Sequence, residues 1–553
     1  SLLLSMLTNY YDIARKEDFQ EVFGHLKIGK NPTPLHSSYF ILEWDFSCVD
    51  PSGSAEDIKR ALHDHINGCI RSFFAYYENY LGYEIPINPD NALDSLQSLV
   101  SSVRKTSVPL FLLIDEYDNF ANEVMMGVRR EKEIYGALLY EEGALKTLFK
   151  AVKSSTKDSV FDRIFITGVS PVVMSDITSG YNIADNIYLN PVYNDMCGFH
   201  ESEISETAEH ICHECGFGDR AAEEAVHLMK TYYNGYIFSP EADTEEKIYN
   251  PTLAIYFLKA FHETCRPPRK MLDANLATDD AKLQFISGIP GGSQLLLDIV
   301  DESRPPVISD LEDRFGIKRM LGGTAKDNVL LVSFLYYFGV LTLEGQTETG
   351  KLAFRVPNLV IQGLYVERIR EMLLPEPLVR DEGVSAADKV YEEGDMNPLC
   401  EFIENRYFKV FHNRDYRWAN ELTVKTAFLT LLYNDILYIM DSEPETGRTY
   451  ADLTMIIRPD MRRFKIFDVL IEFKYVSLKK AGLSGEQAGK LSVEELRALA
   501  AMQAEMASAK AQVGKYGDSL EKKYPELRLK GFAVVSLGFE RIWWEALNDK
   551  YSV

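Results

Sequence analysis

Three charged side chains near the carboxyl end of the chain have the types and spacing of a hydrolytic metal site. Glu472 and Lys474 are two residues apart in a strand-like run, so both side chains lie on one face. A hairpin that turns near Arg462 would place Asp452 opposite Glu472. Two carboxylates in this arrangement can hold Mg²⁺ against a phosphodiester, and the lysine can orient the attacking water or stabilise the developing charge.

The surroundings of these charges favour a site over a surface ion pair. Alone, a Glu-x-Lys spacing is typical of a solvated pair on an exposed hairpin. Glu472 and Lys474 lie in the apolar run VLIEFKYV, which predicts burial and therefore a demand for a metal or a partner charge. Residues 461–480 also contain six basic and two acidic residues, which favours contact with phosphate. An ordinary solvated basic face is the alternative.

A second acidic cluster follows a buried strand in the amino-terminal part of the chain. The run LFLLIDEYDNF places Asp115, Glu116 and Asp118 at the carboxyl end of the strand, where α/β sheets bind ligands. Asp115 could hold Mg²⁺ and Glu116 could polarise an attacking water, as in phosphoryl transfer. Acids at the end of a strand can equally cap the helix that follows.

The order of the predicted elements indicates the fold class, which is α/β with several domains. Strand-like runs at 39–46, 108–114 and 163–169 alternate with helical sequence, which predicts a parallel, doubly wound sheet within residues 1–199. Residues 200–374 are mostly helical, and a hairpin of 335–343 with 352–358 predicts a small winged-helix-like unit. We expect a linker at 375–384 and a second α/β domain over 385–553.

Four motifs, in their order along the chain, carry a family resemblance. They are IDEYD, FITGVSPV, TYYNGYIF with the later YNPTLAIYFL, and FLYYFGVLTL with FRVPNL, and they cover most of residues 1–360. In these motifs the chain resembles the predicted AAA-ATPase-like proteins that are fused to a PD-(D/E)XK nuclease domain. The resemblance implies an N-terminal P-loop NTPase-like sheet that binds ATP with Mg²⁺, and a C-terminal restriction-endonuclease-like domain.

The resemblance also assigns residues to the nucleotide site. Thr167 takes the place of the polar residue that senses the γ-phosphate, beside Asp115 and Asp118. Ser1 takes the place of the P-loop hydroxyl residue, and the Gly-rich loop and its lysine would precede it. Because those groups grip the β- and γ-phosphates, we expect residues 1–553 to bind ATP weakly or not at all.

Three further residues resemble parts of PD-(D/E)XK nuclease sites. Glu421 lies on a predicted helix where these enzymes often place an extra acid before the sheet. Gln512 and Tyr516 have the QxxxY spacing of the RecB-like branch, where the two side chains contact substrate or a metal-bound water.

Composition excludes several classes of protein. The 553 residues carry a net charge of −24, which argues against coating nucleic acid or anionic membrane by bulk charge. The longest apolar run, 329–343, is shorter than the ~20 residues of a membrane span. Seven cysteines without regular spacing predict a cytoplasmic protein with free thiols. The thiols of Cys212 and Cys215 are included, because this CxxC lacks the second ligand pair of a zinc site.

These observations predict an ATPase-coupled, Mg²⁺-dependent nuclease. We expect nucleic acid as its partner, with DNA favoured over RNA, no membrane partner, and an architecture that allows an oligomer. By analogy with the family, a place in microbial defence or mobile-element biology follows. The competing hypothesis is a nucleotide-switched binding or scaffold protein whose nuclease fold has lost cleavage.

Overall fold

The computed structural model of the chain describes residues 2–50, 54–82, 86–119, 144–156, 160–169, 184–243, 245–272, 277–300, 305–312, 327–413, 421–441, 452–524 and 526–547. The chain divides into two units, Ser1–Ile187 with Asp310–Gly339 and Tyr188–Ser309 with Val340–Val553. In the described residues, we find no helix that combines the length and the apolar character of a membrane span.

Helices make up most of the described structure. In chain order they are α1 Leu2–Tyr11, α2 Phe19–Phe23, α3 Lys27–Lys30, α4 Ala55–Tyr76, α5 Glu78–Leu81, α6 Ala92–Val103, α7 Ala144–Thr156, α8 Glu201–Glu214, α9 Asp219–Tyr233, α10 Pro251–Thr264, α11 Ala277–Gly288, α12 Gly292–Val300, α13 Asn328–Tyr337, α14 Leu359–Leu373, α15 Pro377–Glu392, α16 Asn397–Phe402, α17 Phe408–Asn413, α18 Glu421–Leu432, α19 Leu478–Ala481, α20 Gly485–Gly489, α21 Val493–Ala498 and α22 Ala500–Lys523.

The strands form three sheets. They are β1 Phe40–Asp45, β2 Leu110–Asp115, β3 Phe161–Ile166, β4 Val307–Ile308, β5 Thr342–Gln346, β6 Leu352–Arg355, β7 Tyr438–Asp441, β8 Leu453–Ile457, β9 Asp468–Val476, β10 Leu529–Leu537 and β11 Arg541–Leu547. Their orders in space are β1-β2-β3, β4-β6-β5 and β11-β10-β9-β8-β7.

The first unit is built on a parallel sheet, as the alternation of strand and helix predicts. β2 is the central strand and pairs in parallel with β1 and β3. Its first five residues are all buried, as expected of a strand covered on both faces. Helix α4 begins at a capping box in which Ser54 and Asp57 exchange side-chain and backbone hydrogen bonds. The result is an α/β arrangement that brings the carboxyl ends of three strands to one edge.

The second unit contains a mixed sheet of five strands. β8 is antiparallel to β7 and β9, β10 is parallel to β9, and β11 closes the edge antiparallel to β10. Helix α22 lies on one face, where Val513, Tyr516 and Leu520 pack with Leu470 of β9. On the other face, the ring of Phe428 in α18 lies 4.9 Å from that of Phe473. The central strand β9 is therefore buried between two helices.

The start of one predicted strand differs from the structure. The apolar run 329–343, whose end we expected to be a strand from residue 335, is helical through Tyr337, turns at Gly339 with φ of 72°, and enters β5 only at Thr342. A run that is apolar throughout has no periodicity to separate a buried helix from a buried strand. Residues 377–384 of the predicted linker form the beginning of α15, and Pro377 lies in its first turn, where proline is well tolerated.

The prediction that Cys215 is a free thiol is wrong. Cys215 ends α8 and Cys265 ends α10, and the two form a disulfide across a separation of 50 residues. Cys212 is buried with a free thiol, and burial raises the pKa of that thiol. The described residues contain no group of three or more His, Cys, Asp or Glu side chains placed to hold a metal.

The carboxylate of Asp468 fixes the start of β9. It is fully buried and accepts hydrogen bonds from the backbone N–H groups of Ile457 and Arg528, each at 2.8 Å. Arg462 Nη1 donates a hydrogen bond of 2.6 Å to Asp468 Oδ2, the oxygen that also accepts from the Arg528 N–H. One anion thus connects β8, β9 and the segment that leads into β10.

We predict that Asp468→Ala lowers the free energy of unfolding of the second unit by about 3 kcal/mol, because it leaves the partly buried Arg462 guanidinium and two backbone N–H groups without their acceptor. Urea unfolding followed by circular dichroism measures the change. Glu486→Ala is the control, since that side chain is 79% exposed in its pair with Lys490 and should contribute about 0.5 kcal/mol or less. Equal losses in the two variants would contradict the assigned role of Asp468.

Candidate functional site

The structure brings together Asp452, Glu472 and Lys474. Leu453 pairs with Ile471 and Thr454 with Leu470, so Asp452, directly before β8, lies beside the middle of β9. Asp452 Oδ2 accepts a hydrogen bond of 2.8 Å from the Phe473 N–H. Lys474 Nζ lies 2.8 Å from Glu472 Oε1. The turn near Arg462 therefore produces the juxtaposition that the sequence predicts for these three side chains.

The Glu472–Lys474 pair is buried, unlike a surface ion pair. The side chains are 4% and 16% exposed, respectively. Burial, reinforced by the negative charge of Asp452, raises the pKa of Glu472 to about 7, although Lys474 acts in the opposite direction. Glu472 Oε2 has no hydrogen-bond partner among the described residues. One oxygen of this buried carboxyl group therefore lacks the partner that buried polar atoms normally have.

Lys425 is a charged neighbour that the sequence reasoning missed. Its Nζ lies 4.0 Å from Asp452 Oδ1, and both side chains are largely buried. Lys425 follows Glu421 by four residues on α18, and residues with this spacing lie on the same face of a helix. This spacing could have indicated that a second charged side chain of α18 faces the sheet. Glu421 begins α18, but its side chain lies outside the described residues.

Gln512 and Tyr516 lie one turn apart on α22. Burial raises the pKa of Tyr516, and the charges of Glu472 and Asp452 raise it further, against a smaller opposing effect of Lys474. The Oε1 atom of Gln512 is buried and has no hydrogen-bond partner within the described part of the chain. Both residues predicted from the QxxxY spacing are therefore on the helix that covers the sheet, with Tyr516 within electrostatic range of the carboxylates.

The donor set fits a hard divalent cation. Mg²⁺ binds oxygen ligands and usually takes one or two carboxylates, completing its shell with water and substrate phosphate. Asp452 and Glu472 provide two carboxylates, and the unpartnered Glu472 Oε2 is a buried oxygen for which a cation would compensate. With a cation bound, Lys474 would no longer be needed to neutralise Glu472 and could contact the substrate.

The amino-terminal cluster lies at the ends of two paired strands. Ile114 of β2 pairs with Ile166 of β3, so Asp115 and Thr167 leave the sheet side by side. Thr167 Oγ1 donates a hydrogen bond to Asp115 Oδ1. Glu116 has a backbone φ of 51°, in the left-handed region that a residue with a side chain seldom adopts. The strand ends thus present a carboxylate, a hydroxyl and a second acid at one edge.

Asp118 is fully buried, whereas Asp115 and Glu116 are partly exposed. Its Oδ1 accepts a hydrogen bond of 3.0 Å from the Val169 N–H, which attaches the loop after β3 to the loop after β2. A Cβ atom at Gly168 would lie only 2.4 Å from the same oxygen. Asp118 thus positions the loop after β3, and its predicted contact with the cofactor stays a prediction. Ser1 lies outside the described residues.

Comparison with known proteins identifies the amino-terminal part of the chain. Residues 1–178 match the family model described as Predicted AAA-ATPase. An "Uncharacterized protein in vnfD 5'region" from Azotobacter chroococcum mcd 1 is 24% identical over 385 residues, which are 68% of this chain and 64% of the relative. The match therefore spans less than two thirds of the relative's length.

One solved structure is similar over a large part of the chain, but only weakly. It is the Aeropyrum pernix ORC1 protein in complex with DNA, at 10% identity and a TM-score of 0.20, covering 64% of this chain and 81% of that chain. The family match and the parallel sheet together show an AAA-ATPase-like region at the amino terminus.

The raised pKa of Glu472 predicts how stability depends on pH. Between the ordinary glutamate pKa and about 7 the folded protein holds a proton that the unfolded chain has lost, so stability falls as the pH rises through this range. Glu472→Gln should remove this loss and raise the free energy of unfolding at pH 8 by about 2 kcal/mol, with no gain at pH 4. Urea unfolding in metal-free buffer measures both. The exposed control Glu486→Gln should change neither, and an equal gain at both pH values for Glu472→Gln would contradict the assigned burial.

Proposed function

We propose that the chain is an ATPase-coupled, Mg²⁺-dependent nuclease. The nucleotide module would lie within residues 1–199, the region 200–374 would connect it to the second catalytic part, and residues 385–553 would cleave phosphodiesters. The observation that carries the proposal is the buried convergence of Asp452, Glu472 and Lys474, in which a carboxyl oxygen of Glu472 lacks a partner among the described residues.

Asp452 and Glu472 would hold the cation in the proposed site. When bound, Mg²⁺ polarises the scissile phosphodiester and lowers the pKa of a water. Lys474 would position the attacking water or offset negative charge on the phosphorane, because its ammonium already lies beside Glu472. Lys425 would hold Asp452 in position, and Gln512 and Tyr516 would contact the substrate or the metal's water from α22. Glu421 is the proposed additional acid.

Exposed cations in the segments that flank β9 support a nucleic-acid substrate. In the basic segment around β9, Arg462 pairs with Asp468 and Lys480 with Glu505. Arg463, Lys465 and Lys479 are exposed. Lysine and arginine contacts to phosphates position a nucleic acid without reading its sequence, so the proposal includes DNA, with RNA as the less favoured substrate.

The proposed nucleotide site uses the strand ends of the first unit. Asp115 would hold Mg²⁺ beside ATP, and Glu116 would orient the attacking water. Thr167 would sense the γ-phosphate, since its hydroxyl already contacts Asp115. Asp118 would act by fixing the loop at Val169.

We predict that the chain cleaves plasmid or single-stranded DNA only with Mg²⁺ or Mn²⁺, and that Asp452→Asn and Lys474→Ala each reduce the rate at least about 100-fold. Gel-based cleavage assays measure the rate. The matched controls are Asp518→Asn, an exposed carboxylate near Tyr516 on α22, and Lys490→Ala, an exposed lysine. Folded wild type that cuts nothing, or variants that cut equally well, would support the nucleotide-switched scaffold instead.

The ATPase assignment has its own test. Under conditions in which the protein binds ATP, Glu116→Gln should leave ATP binding intact and lower turnover at least about 100-fold, because the water loses its orienting carboxylate. Phosphate release measures turnover and calorimetry measures ATP binding. Unchanged turnover would remove Glu116 from this role.

A further inference from the structure

A cavity of about 1010 Å³ lies within the second unit, away from the residues assigned to cleavage. Its walls come from α9, the segment 356–362, strands β7 and β8, and the end of α22. Small-molecule sites in proteins commonly measure about 300–1,000 Å³ and combine apolar walls with a few directed polar groups. This cavity is therefore large enough for a ligand of nucleotide size or somewhat larger.

A buried hydroxyl group lies in the lining of the cavity. Thr454 is fully buried and lines the cavity, and its Oγ1 has no hydrogen-bond partner among the described residues. Buried hydroxyl groups are normally hydrogen-bonded, because the loss of water is otherwise uncompensated. A ligand with a hydrogen-bonding edge would provide the missing partner.

The remaining lining has two chemical characters. Ile439, Ile456 and Leu359 form an apolar wall, which suits the flat face of a ring system. Lys523 lies at another part of the lining, with its Nζ 5.2 Å from the centre of the Tyr524 ring. His227 is close to this lysine, since the charge of Lys523 adds to burial in lowering the pKa of His227.

The other charged side chains of the lining either form ion pairs or are exposed. Arg220 is engaged with Glu224 at 3.1 Å, and Arg462 with Asp468. Glu223 and Glu526 also line the cavity and are exposed. Lys523 and His227 are therefore the groups best placed to receive an anion, and Thr454 with the apolar wall receives the rest of the ligand.

We propose that this cavity binds a nucleotide. The base would lie against Ile439 and Ile456 with its polar edge toward Thr454, and the phosphate would lie near Lys523 and His227. The ligand would be either a free nucleotide or an unpaired nucleotide of a nucleic acid chain, because the two share this chemistry.

The position of the cavity relates it to the candidate cleavage site. Thr454 follows Asp452 by two residues, roughly 7 Å along an extended strand. Leu520, which lines the cavity, follows Tyr516 by one helical turn on α22. A nucleotide bound here would be a neighbour of the phosphodiester at Asp452, although its binding does not require that cleavage occurs.

Calorimetry on the full chain tests the proposal without depending on cleavage. The Asp452→Asn background in EDTA is titrated with AMP, GMP, CMP and UMP, and separately with a single-stranded DNA hexamer. At least one of these probes should bind. Lys523→Ala and Thr454→Val should each weaken that binding about tenfold, whereas Lys522→Ala, at an exposed neighbouring position outside the lining, should not.

The results of these titrations distinguish a free nucleotide from a nucleic acid strand. They also test nucleotide binding separately from the proposed cleavage. Saturable binding of a mononucleotide indicates a free nucleotide, and binding of the hexamer alone indicates a strand. Thr454→Val should unfold at the same or a higher temperature than its parent without ligand, because a methyl group replaces an unpartnered hydroxyl. Absence of binding by every probe, equal binding by Lys523→Ala and Lys522→Ala, or a lower unfolding temperature of Thr454→Val would overturn the proposal, whatever the result of the cleavage assay.

Discussion

The organisation of the second unit depends on holding two carboxyl groups side by side in an apolar interior. Burial and mutual repulsion both disfavour the ionised form, which is why the pKa of Glu472 is raised to about 7. Lys474 on the same strand and Lys425 on α18 supply the positive charge that such a pair requires. An arrangement of this kind is costly to maintain for stability alone. Together with the unpartnered Glu472 Oε2, it is the arrangement that a cation-binding site would need.

Two features of the fold position these side chains: the register of β8 against β9, and the buried carboxylate of Asp468. The pairing of β8 with β9 fixes which residue stands beside Glu472, and a shift of one residue would turn that side chain to the opposite face. Asp468 fixes the beginning of β9 against β8 and the segment before β10. Helix α22 then covers the face and links the candidate site to the neighbouring cavity through Tyr516 and Leu520.

Contacts within a strand or a hairpin could be predicted from the sequence, whereas contacts between elements that are distant in sequence could not. Alternation along a strand predicts that Glu472 and Lys474 share a face. The polar turn near Arg462 predicts that Asp452 lies opposite Glu472. The parallel sheet of the first unit follows from strand–helix alternation. Lys425 could not be assigned to Asp452, because their approach depends on how α18 packs. The Cys215–Cys265 bond joins two helix ends separated by 50 residues, so spacing alone did not reveal it. The run 329–343 was misassigned because uniform hydrophobicity has no period.

The contact between Gly168 and the loop after β2 restricts how this region can diverge. A methyl group at position 168 would come within 2.4 Å of Asp118 and 2.5 Å of the Tyr117 ring, so the backbone there has room for hydrogen alone. The residues at positions 117, 118 and 168 are therefore sterically coupled. Homologues that retain Asp118 and Tyr117 should retain glycine opposite them, and a lineage that acquires a larger residue at 168 should carry compensating replacements in the acidic loop.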